Sequence, residues 1–178
     1  MTEHILEQKK QIRAYKPNSD KKIRGDPYKT IFVGRMNYKT DERRLEDTFE
    51  MFGKIKRCTI VKDIKTGKSR GYGFVEYYEE RNAEIAYDRG NKMKIDGAYV
   101  LVDRELARTD RFWLPRRLGG GKGDSRRGTQ EEIEFVKDIK REIKKEAKDL
   151  QEQEKMKQNA HMKTENEENA PQTSNLKR

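Results

Sequence analysis

Two aromatic side chains and a cation occupy alternate positions near the middle of the chain. They are Arg70, Tyr72 and Phe74, in the stretch RGYGFVEY. Alternate side chains of a β-strand point to the same face of a sheet, so the two rings would lie side by side. An exposed ring stacks on a nucleobase, and an arginine beside it can pair with a phosphate. The stretch therefore predicts a surface that binds single-stranded nucleic acid.

A second stretch, IFVGRM at residues 31–36, predicts a third ring on the same surface. Alternation sends Ile31 and Val33 toward a core and Phe32 to the opposite face. Leaving a large ring in water forgoes about 1.5–3 kcal/mol that burial would contribute. Stacking on a base contributes about 1–3 kcal/mol, so we expect the exposed rings to bind a nucleic-acid partner.

The two stretches together resemble the RNP motifs of the RNA recognition motif family. RGYGFVEY matches the RNP1 pattern at every position, and IFVGRM stands 39 residues upstream as its RNP2 partner. The alternative is that the rings pack beneath a terminal helix or bind a protein, as the sheets of some such domains do.

The elements around these stretches predict an α+β fold. TIFVGRM suits a first strand, and Leu45, Phe49 and Phe52 have helical spacing before Gly53. The further elements are a strand at 55–61, a strand at RGYGFVEYY, a helix at 79–88 and a strand at AYVLVD after the Asp96-Gly97 turn. The order β-α-β-β-α-β is that of the ferredoxin-like fold, here a single RNA recognition motif.

Composition divides the chain into five segments. Charged residues are 42% and hydrophobic residues 31% of the sequence, so a core can form only locally. We expect an N-terminal arm with a short helix at 1–27, the folded domain at 28–103, a basic flank of net charge +5 at 104–129, an amphipathic helix at 130–152 that Thr129 could cap, and a disordered tail at 153–178.

Net charge and residue counts narrow the classes of function. A charge of +10 favours a polyanionic partner. No apolar run approaches the roughly 20 residues of a membrane span, and the start lacks a signal-peptide core, so we expect neither membrane insertion nor secretion. Cys58 is the sole cysteine and is expected to be a small buried side chain, and His4 and His161 are the sole histidines. The sequence therefore has too few cysteines and histidines for a disulfide or a Cys/His metal site, and no cofactor is expected.

Two glycine-containing stretches fail as nucleotide-binding loops. TGKS at 66–69 has Lys62 where a P-loop needs glycine, and it leads into a strand rather than a helix. GGGKG at 119–123 has Gly123 where Ser or Thr should coordinate magnesium. We therefore expect no enzymatic activity.

Stretches at both ends of the domain, and the flank that follows it, resemble one family in particular. GDPYKTIFVGRMNY, KIDGAYVLVD and above all ARTDRFWLPRRLGGGKGDSRRG look like the family of the seventy-kilodalton protein of the U1 small nuclear ribonucleoprotein (snRNP). The resemblance implies a nuclear, non-catalytic subunit that binds the first stem-loop of U1 snRNA and helps recognise 5′ splice sites. It also implies the Sm core and a zinc-finger subunit as protein partners. The sequence lacks the Arg-Ser or Arg-Asp/Glu tail common in that family.

The same resemblance assigns roles to residues of this chain. Phe32, Tyr72 and Phe74 would stack on loop bases. Backbone or loop contacts would come from Arg70, Lys65 and Lys68, and from five arginines of the flank, namely Arg104, Arg108, Arg111, Arg116 and Arg117. An arginine fork fixes orientation on phosphates but carries no base information. Trp113 would either stack on RNA or anchor the flank to the domain.

Three other functions stay open at the level of sequence. The 35-kilodalton protein of the minor U11/U12 particle shares the flank motif. A general single-stranded RNA-binding protein would bind unrelated strands alike. A protein-interaction scaffold would act through the stripe formed by Ile133, Val136, Ile139, Ile143, Ala147 and Leu150.

Overall fold

A computed structural model describes residues 3–20, 23–122 and 130–168. The chain divides into two units, Met1–Pro115 and Arg116–Arg178, and each is described by itself. Among the helices of the described residues, none combines the length and the apolar character needed to cross a membrane.

The alternating stretches of the first unit form a four-stranded antiparallel sheet. Its strands are β1 (Thr30–Gly34), β2 (Ile55–Lys62), β3 (Ser69–Tyr77) and β6 (Leu101–Arg104), in the spatial order β2-β3-β1-β6. β1 therefore lies beside β3, and Phe32 stands opposite Phe74 in the register. The predicted fold and the predicted pairing of the two RNP strands are confirmed.

Two helices cover one face of this sheet. They are α2 (Glu42–Phe49) and α3 (Glu80–Gly90). Asp41 caps α2 by accepting a hydrogen bond from the Arg44 N–H at 2.8 Å, which satisfies one of the free donors of the first turn. The core joins the predicted inward side chains of the strands to the helix positions and includes Ile31, Val33, Leu45, Phe49, Val75 and Ala86.

The predicted last strand is divided into two short strands. Ala98–Tyr99 forms β5, which pairs with β4 (Lys94–Ile95), and only Leu101–Arg104 joins the main sheet as β6. Asp96 and Gly97 both have positive φ, at 47° and 83°, as a two-residue hairpin turn requires. The predicted turn therefore closes a small hairpin before the chain enters the sheet.

Two shorter helices flank the sheet in sequence. α1 spans Glu3–Ala14, within the arm where a short helix is predicted, and buries Ile12. α4 spans Leu106–Thr109 in the basic flank, where no helix is predicted.

The second unit contains one long helix, α5, at Gln130–Glu168. It begins near the predicted position, although Thr129 lies outside the described residues. Residues 153–168, predicted to be disordered, continue the helix in the structure, since glutamate, lysine, glutamine and alanine favour helix even without an apolar face. Residues 169–178 lie outside the described residues. Val136, Ile139 and Ala147 of the predicted stripe are buried, and Leu150 is exposed.

Tyr77 offers a test of the core. Its hydroxyl is buried and donates a hydrogen bond to the Phe49 carbonyl at 3.0 Å, and burial raises the pKa of this phenol well above its ordinary value. Tyr77→Phe removes this buried hydrogen bond, so the free energy of unfolding should fall by about 1–2 kcal/mol in urea denaturation. The neighbouring Tyr78 is exposed, and Tyr78→Phe should change it by less than about 0.5 kcal/mol. Equal effects of the two changes would contradict the assignment.

Candidate RNA-binding surface

The three predicted rings lie together on the face of the sheet opposite α2 and α3. The Phe32 ring centre is 5.8 Å from that of Tyr72 and 5.8 Å from that of Phe74. Tyr72 and Phe74 are 6.3 Å apart with nearly perpendicular planes. All three side chains are half-buried, because each ring covers the edges of the others while part of its surface remains accessible. We call Phe32, Tyr72 and Phe74 the ring platform.

Glycines allow the rings to lie this close to the backbone. A Cβ at Gly34 would lie 2.8 Å from Cε1 of Phe32, so any larger residue would push that ring off β1. A Cβ at Gly73 would lie 2.5 Å from the carbonyl oxygen of Thr59 on the neighbouring strand. The small residues of the two RNP stretches are therefore required by contacts with the ring platform and with β2.

Cations stand at the end of the platform where β3 begins. The Arg70 guanidinium lies 5.7 Å from the Tyr72 ring centre, a cation–π distance. Lys65 and Lys68 are exposed in the preceding loop. Asp63 shapes that loop by accepting hydrogen bonds from the N–H groups of Thr66 and Lys65 at 2.9 and 3.1 Å. Chiefly through Thr66, these bonds lower the pKa of Asp63, so the carboxylate stays ionised and the turn stays intact.

The sequence reasoning missed one exposed ring in the loop that follows β1. Tyr38 is 72% exposed in the loop after β1, and a Cβ at Gly71 would lie 3.3 Å from its ring. Asp96 holds this loop in place, since its carboxylate accepts a hydrogen bond from Thr40 Oγ1 at 2.7 Å and its carbonyl accepts one from Asn37 Nδ2 at 2.9 Å. A tyrosine in a polar loop directly after RNP2 is the signal that could have identified it.

The other end of the open face is closed by the chain's own flanks. Strand alternation predicts Glu76 beside Phe74 on the open face, yet Glu76 is only 3% exposed. Its Oε1 accepts hydrogen bonds from Lys56 Nζ at 2.9 Å and from the Asp26 N–H at 3.3 Å. A Cβ at Gly25, whose φ is +95°, would lie 2.5 Å from Glu76 Oε2. The segment that leads into β1 and contains Gly25 and Asp26, which we call the entry segment, therefore lies directly over this carboxylate.

Arg108 is part of this closure, which corrects its predicted placement. The side chain is 10% exposed and forms a fork onto Glu105, with Nε and Nη2 at 2.6 and 2.8 Å from the two carboxylate oxygens. Its Nη1 donates a hydrogen bond to the Gly25 carbonyl at 2.8 Å. All three guanidinium nitrogens are thus bound within the protein, so we do not retain Arg108 as a phosphate contact.

The structure separates the remaining predicted residues of the flank. Arg104 lies 5.0 Å from the ring centre of Tyr87 on α3, which places it on the helix side of the sheet and away from the ring platform. Arg111 is exposed beside Phe112. Trp113 is half-buried, and its Nε1 is buried without a hydrogen-bond partner in the described part of the chain. Arg116 and Arg117 belong to the second unit, where Arg116 donates a hydrogen bond to the Lys122 carbonyl.

Other reactive groups contribute no further site. Cys58 packs against the core as predicted, and burial raises its pKa to about 12, so the thiol is not a nucleophile at neutral pH. Among the residues that the structure describes, no group of three or more His, Cys, Asp or Glu side chains is arranged to hold a metal ion.

Comparison with protein families agrees with this geometry. The model of the family described as RNA recognition motif matches residues 31–101, which include the whole ring platform. Residues 31–101 are thus similar to the RNA recognition motif family. The motif carries its three rings on β1 and β3, as predicted from the alternation of the two RNP stretches.

Relatives extend the similarity beyond the motif. The U1 small nuclear ribonucleoprotein 70 kDa of Arabidopsis thaliana is 49% identical over 122 residues, which cover 68% of this chain and 29% of that protein. That of Xenopus tropicalis is 48% identical over 118 residues, covering 66% and 25%. The U11/U12 small nuclear ribonucleoprotein 35 kDa protein of Mus musculus is 44% identical over 119 residues, covering 67% and 48%.

These comparisons confirm the predicted resemblance and show how much of each relative it covers. The matches to the U1 70 kDa proteins extend over 122 and 118 residues, more than the motif itself contains. The matched region spans between a quarter and a half of the length of the relatives named.

The closed end of the motif predicts a specific acid sensitivity. Burial raises the pKa of Glu76, but the Lys56 hydrogen bond, the Asp26 N–H and the charges of Lys56 and Arg57 outweigh it, and the pKa lies below its ordinary value. The contribution of Glu76 to the free energy of unfolding is therefore complete above the ordinary pKa of about 4.3, and it is lost as the pH falls through the lowered pKa. The free energy of unfolding of the wild type should fall from about pH 5 to about pH 3, and Glu76→Gln should show a shallower fall from a lower starting value.

A matched change on α3 provides the control. Glu84 is exposed, and Glu84→Gln should follow the pH dependence of the wild type. Parallel curves for the wild type and Glu76→Gln would rule out the assigned role of Glu76.

Proposed function

We propose that this protein is an RNA-binding subunit of the U1 snRNP. In this role it binds the first stem-loop of U1 snRNA and supports recognition of 5′ splice sites. The observation that carries the proposal is the ring platform, with Phe32 opposite Phe74 in the register, in a motif homologous to that of U1 70 kDa proteins. The role is one of binding and not of catalysis, and it places the protein in the nucleus.

The geometry supports a division of contacts between the loop and the stem of such an RNA. Loop bases are unstacked and can spread over Phe32, Tyr72 and Phe74, where hydrogen bonding to base edges supplies specificity. Arg70 lies beside Tyr72 and can pair with the phosphate of the base stacked there. Lys65 and Lys68 are exposed next to it and would approach the backbone of the loop.

Contacts with the stem fall to the flank. Arg111 is exposed, and a guanidinium can form two parallel hydrogen bonds with a phosphate. We retain Arg111, Arg116 and Arg117 for this role. The Sm core and the zinc-finger subunit are the protein partners that follow from the resemblance.

Membership of the U11/U12 particle is the second candidate. The mouse 35 kDa protein is 44% identical, and the match covers 48% of its length, a larger share than in the U1 relatives named above. The two candidates differ in the RNA that accompanies the protein in cells. Affinity purification of the tagged chain, with U1, U11 and U12 RNAs quantified, should enrich U1 RNA above the other two.

A competition experiment tests the proposed ligand. We expect the full chain to bind the first stem-loop of U1 snRNA at least about tenfold more tightly than the same stem with a scrambled loop. Hydrogen bonds to base edges depend on the loop sequence, and losing one or two of them at about 0.5–1.5 kcal/mol each accounts for such a factor. Both hairpins are measured at the same salt concentration, because phosphate contacts alone are strongly salt-dependent. Equal affinities would instead identify a general single-stranded RNA-binding protein.

Variants of the ring platform test where the RNA binds. Phe74→Ala should weaken hairpin binding by about 5- to 100-fold, the equivalent of one lost stacking interaction. Tyr99→Ala removes a more exposed ring from β5, outside the platform, and should leave the affinity unchanged. Circular dichroism confirms that both variants fold. If Phe74→Ala bound normally, the platform would not be the RNA site, and a protein-interaction scaffold acting through α5 would be favoured.

A further inference from the structure

The closed end of the motif links three segments that are distant in sequence. The entry segment contributes Gly25 and Asp26, β3 contributes Glu76, and the start of the flank contributes Glu105 and Arg108. We call these five residues the Glu76–Arg108 network. The side chains of Glu76, Glu105 and Arg108 are 4%, 5% and 10% exposed, so these three charged groups are largely shielded from water and from salt.

Arg108 joins the two flanks of the motif directly. Its fork onto Glu105 fixes the side chain within the flank, and its third nitrogen reaches the Gly25 carbonyl 83 residues earlier in the sequence. The hydrogen bonds to Glu105 raise the pKa of Arg108 above its already high ordinary value, so the link does not depend on pH in the neutral range. The path of the entry segment and the path of the flank therefore depend on one side chain.

We propose that Arg108 and Glu105 are positioning residues for RNA binding. They hold the start of the flank in one orientation, so that Arg111 is presented to a hairpin stem while the loop lies on the ring platform. This inference rests on the proposed function, because it requires a ligand with both a stem and a loop. Neither residue contacts RNA itself.

The physical basis is preorganisation of the flank. A flexible segment that binds phosphates must first be ordered, and that ordering weakens binding. The network orders the beginning of the flank before RNA arrives. Loss of the network should therefore weaken binding of the hairpin and spare a short single strand that contacts the platform alone.

The variant Glu105→Gln separates this role from a simple charge effect. Removing a negative charge near an RNA-binding surface ordinarily strengthens binding to phosphates. If Arg108 were itself a phosphate contact, Glu105→Gln would also free its guanidinium and strengthen RNA binding further. The proposal requires the opposite sign, so Glu105→Gln should weaken binding of the U1 stem-loop by about tenfold and leave binding of the isolated loop sequence within about twofold.

Two further variants complete the comparison. Arg108→Lys keeps the charge but cannot serve both Glu105 and Gly25, and it should weaken hairpin binding as Glu105→Gln does. Glu84→Gln removes an exposed carboxylate from α3 and should bind the hairpin at least as tightly as the wild type. If Glu105→Gln bound the hairpin as tightly as or more tightly than the wild type, the proposal would be overturned.

A measurement without RNA keeps this proposal separate from the proposed function. In hydrogen exchange of the full chain, Glu105→Gln and Arg108→Lys should speed exchange in both residues 24–30 and residues 106–113, while β1 and β3 keep the protection of the wild type. Unchanged exchange in the entry segment would overturn the link. If instead the wild type showed no preference for the hairpin, the proposed function would fail. The exchange result would still show whether Glu105 and Arg108 link the two flanks.

Discussion

The antiparallel pairing of β1 with β3 is the constraint on which the rest of this molecule depends. It sets Phe32 opposite Phe74, and strand alternation then places Ile31, Val33 and Val75 on the other face. Because that other face packs against α2 and α3, the rings have no hydrophobic layer of the core to join. One register thus determines both the core and the binding surface, and a slip of one residue would exchange them.

The open face is nevertheless bounded. At one end, lysines and Arg70 surround the platform. At the other end, Glu76 lies beneath Gly25 and Asp26, with Arg108 and Glu105 completing the cover. Uncovered carboxylates at this end would repel phosphates, whereas Glu76 and Glu105 are each paired here with basic side chains of the protein.

Much of this arrangement could be predicted from sequence because it follows from periodicity. The inward aliphatic residues and the outward rings depend on alternation within single stretches, and the neighbouring strands follow from the β-α-β-β-α-β order of the elements. The failures have a different origin. Glu76 has the spacing of an exposed residue, but residues 50 positions earlier cover it, and no local pattern reports a contact of that range. The extension of α5 past residue 152 shows the converse, since helix propensity persisted where apolar periodicity ended.

Counting charges gives an incomplete account of the basic flank for the same reason. Arg104 lies against Tyr87 on the helix side, and Arg108 is neutralised by Glu105 within the domain. Arg111 is exposed beside Phe112, and Arg104 is also exposed but lies on the helix side of the sheet, away from the ring platform. Arg104 thus stacks on Tyr87, whereas Arg108 links the two flanks. In the proposed role, the flank would therefore contribute to RNA binding less through its net charge than through the direction in which Arg111 is held. Hydrogen bonds to Glu105 and Gly25 can fix that direction, whereas charge alone cannot.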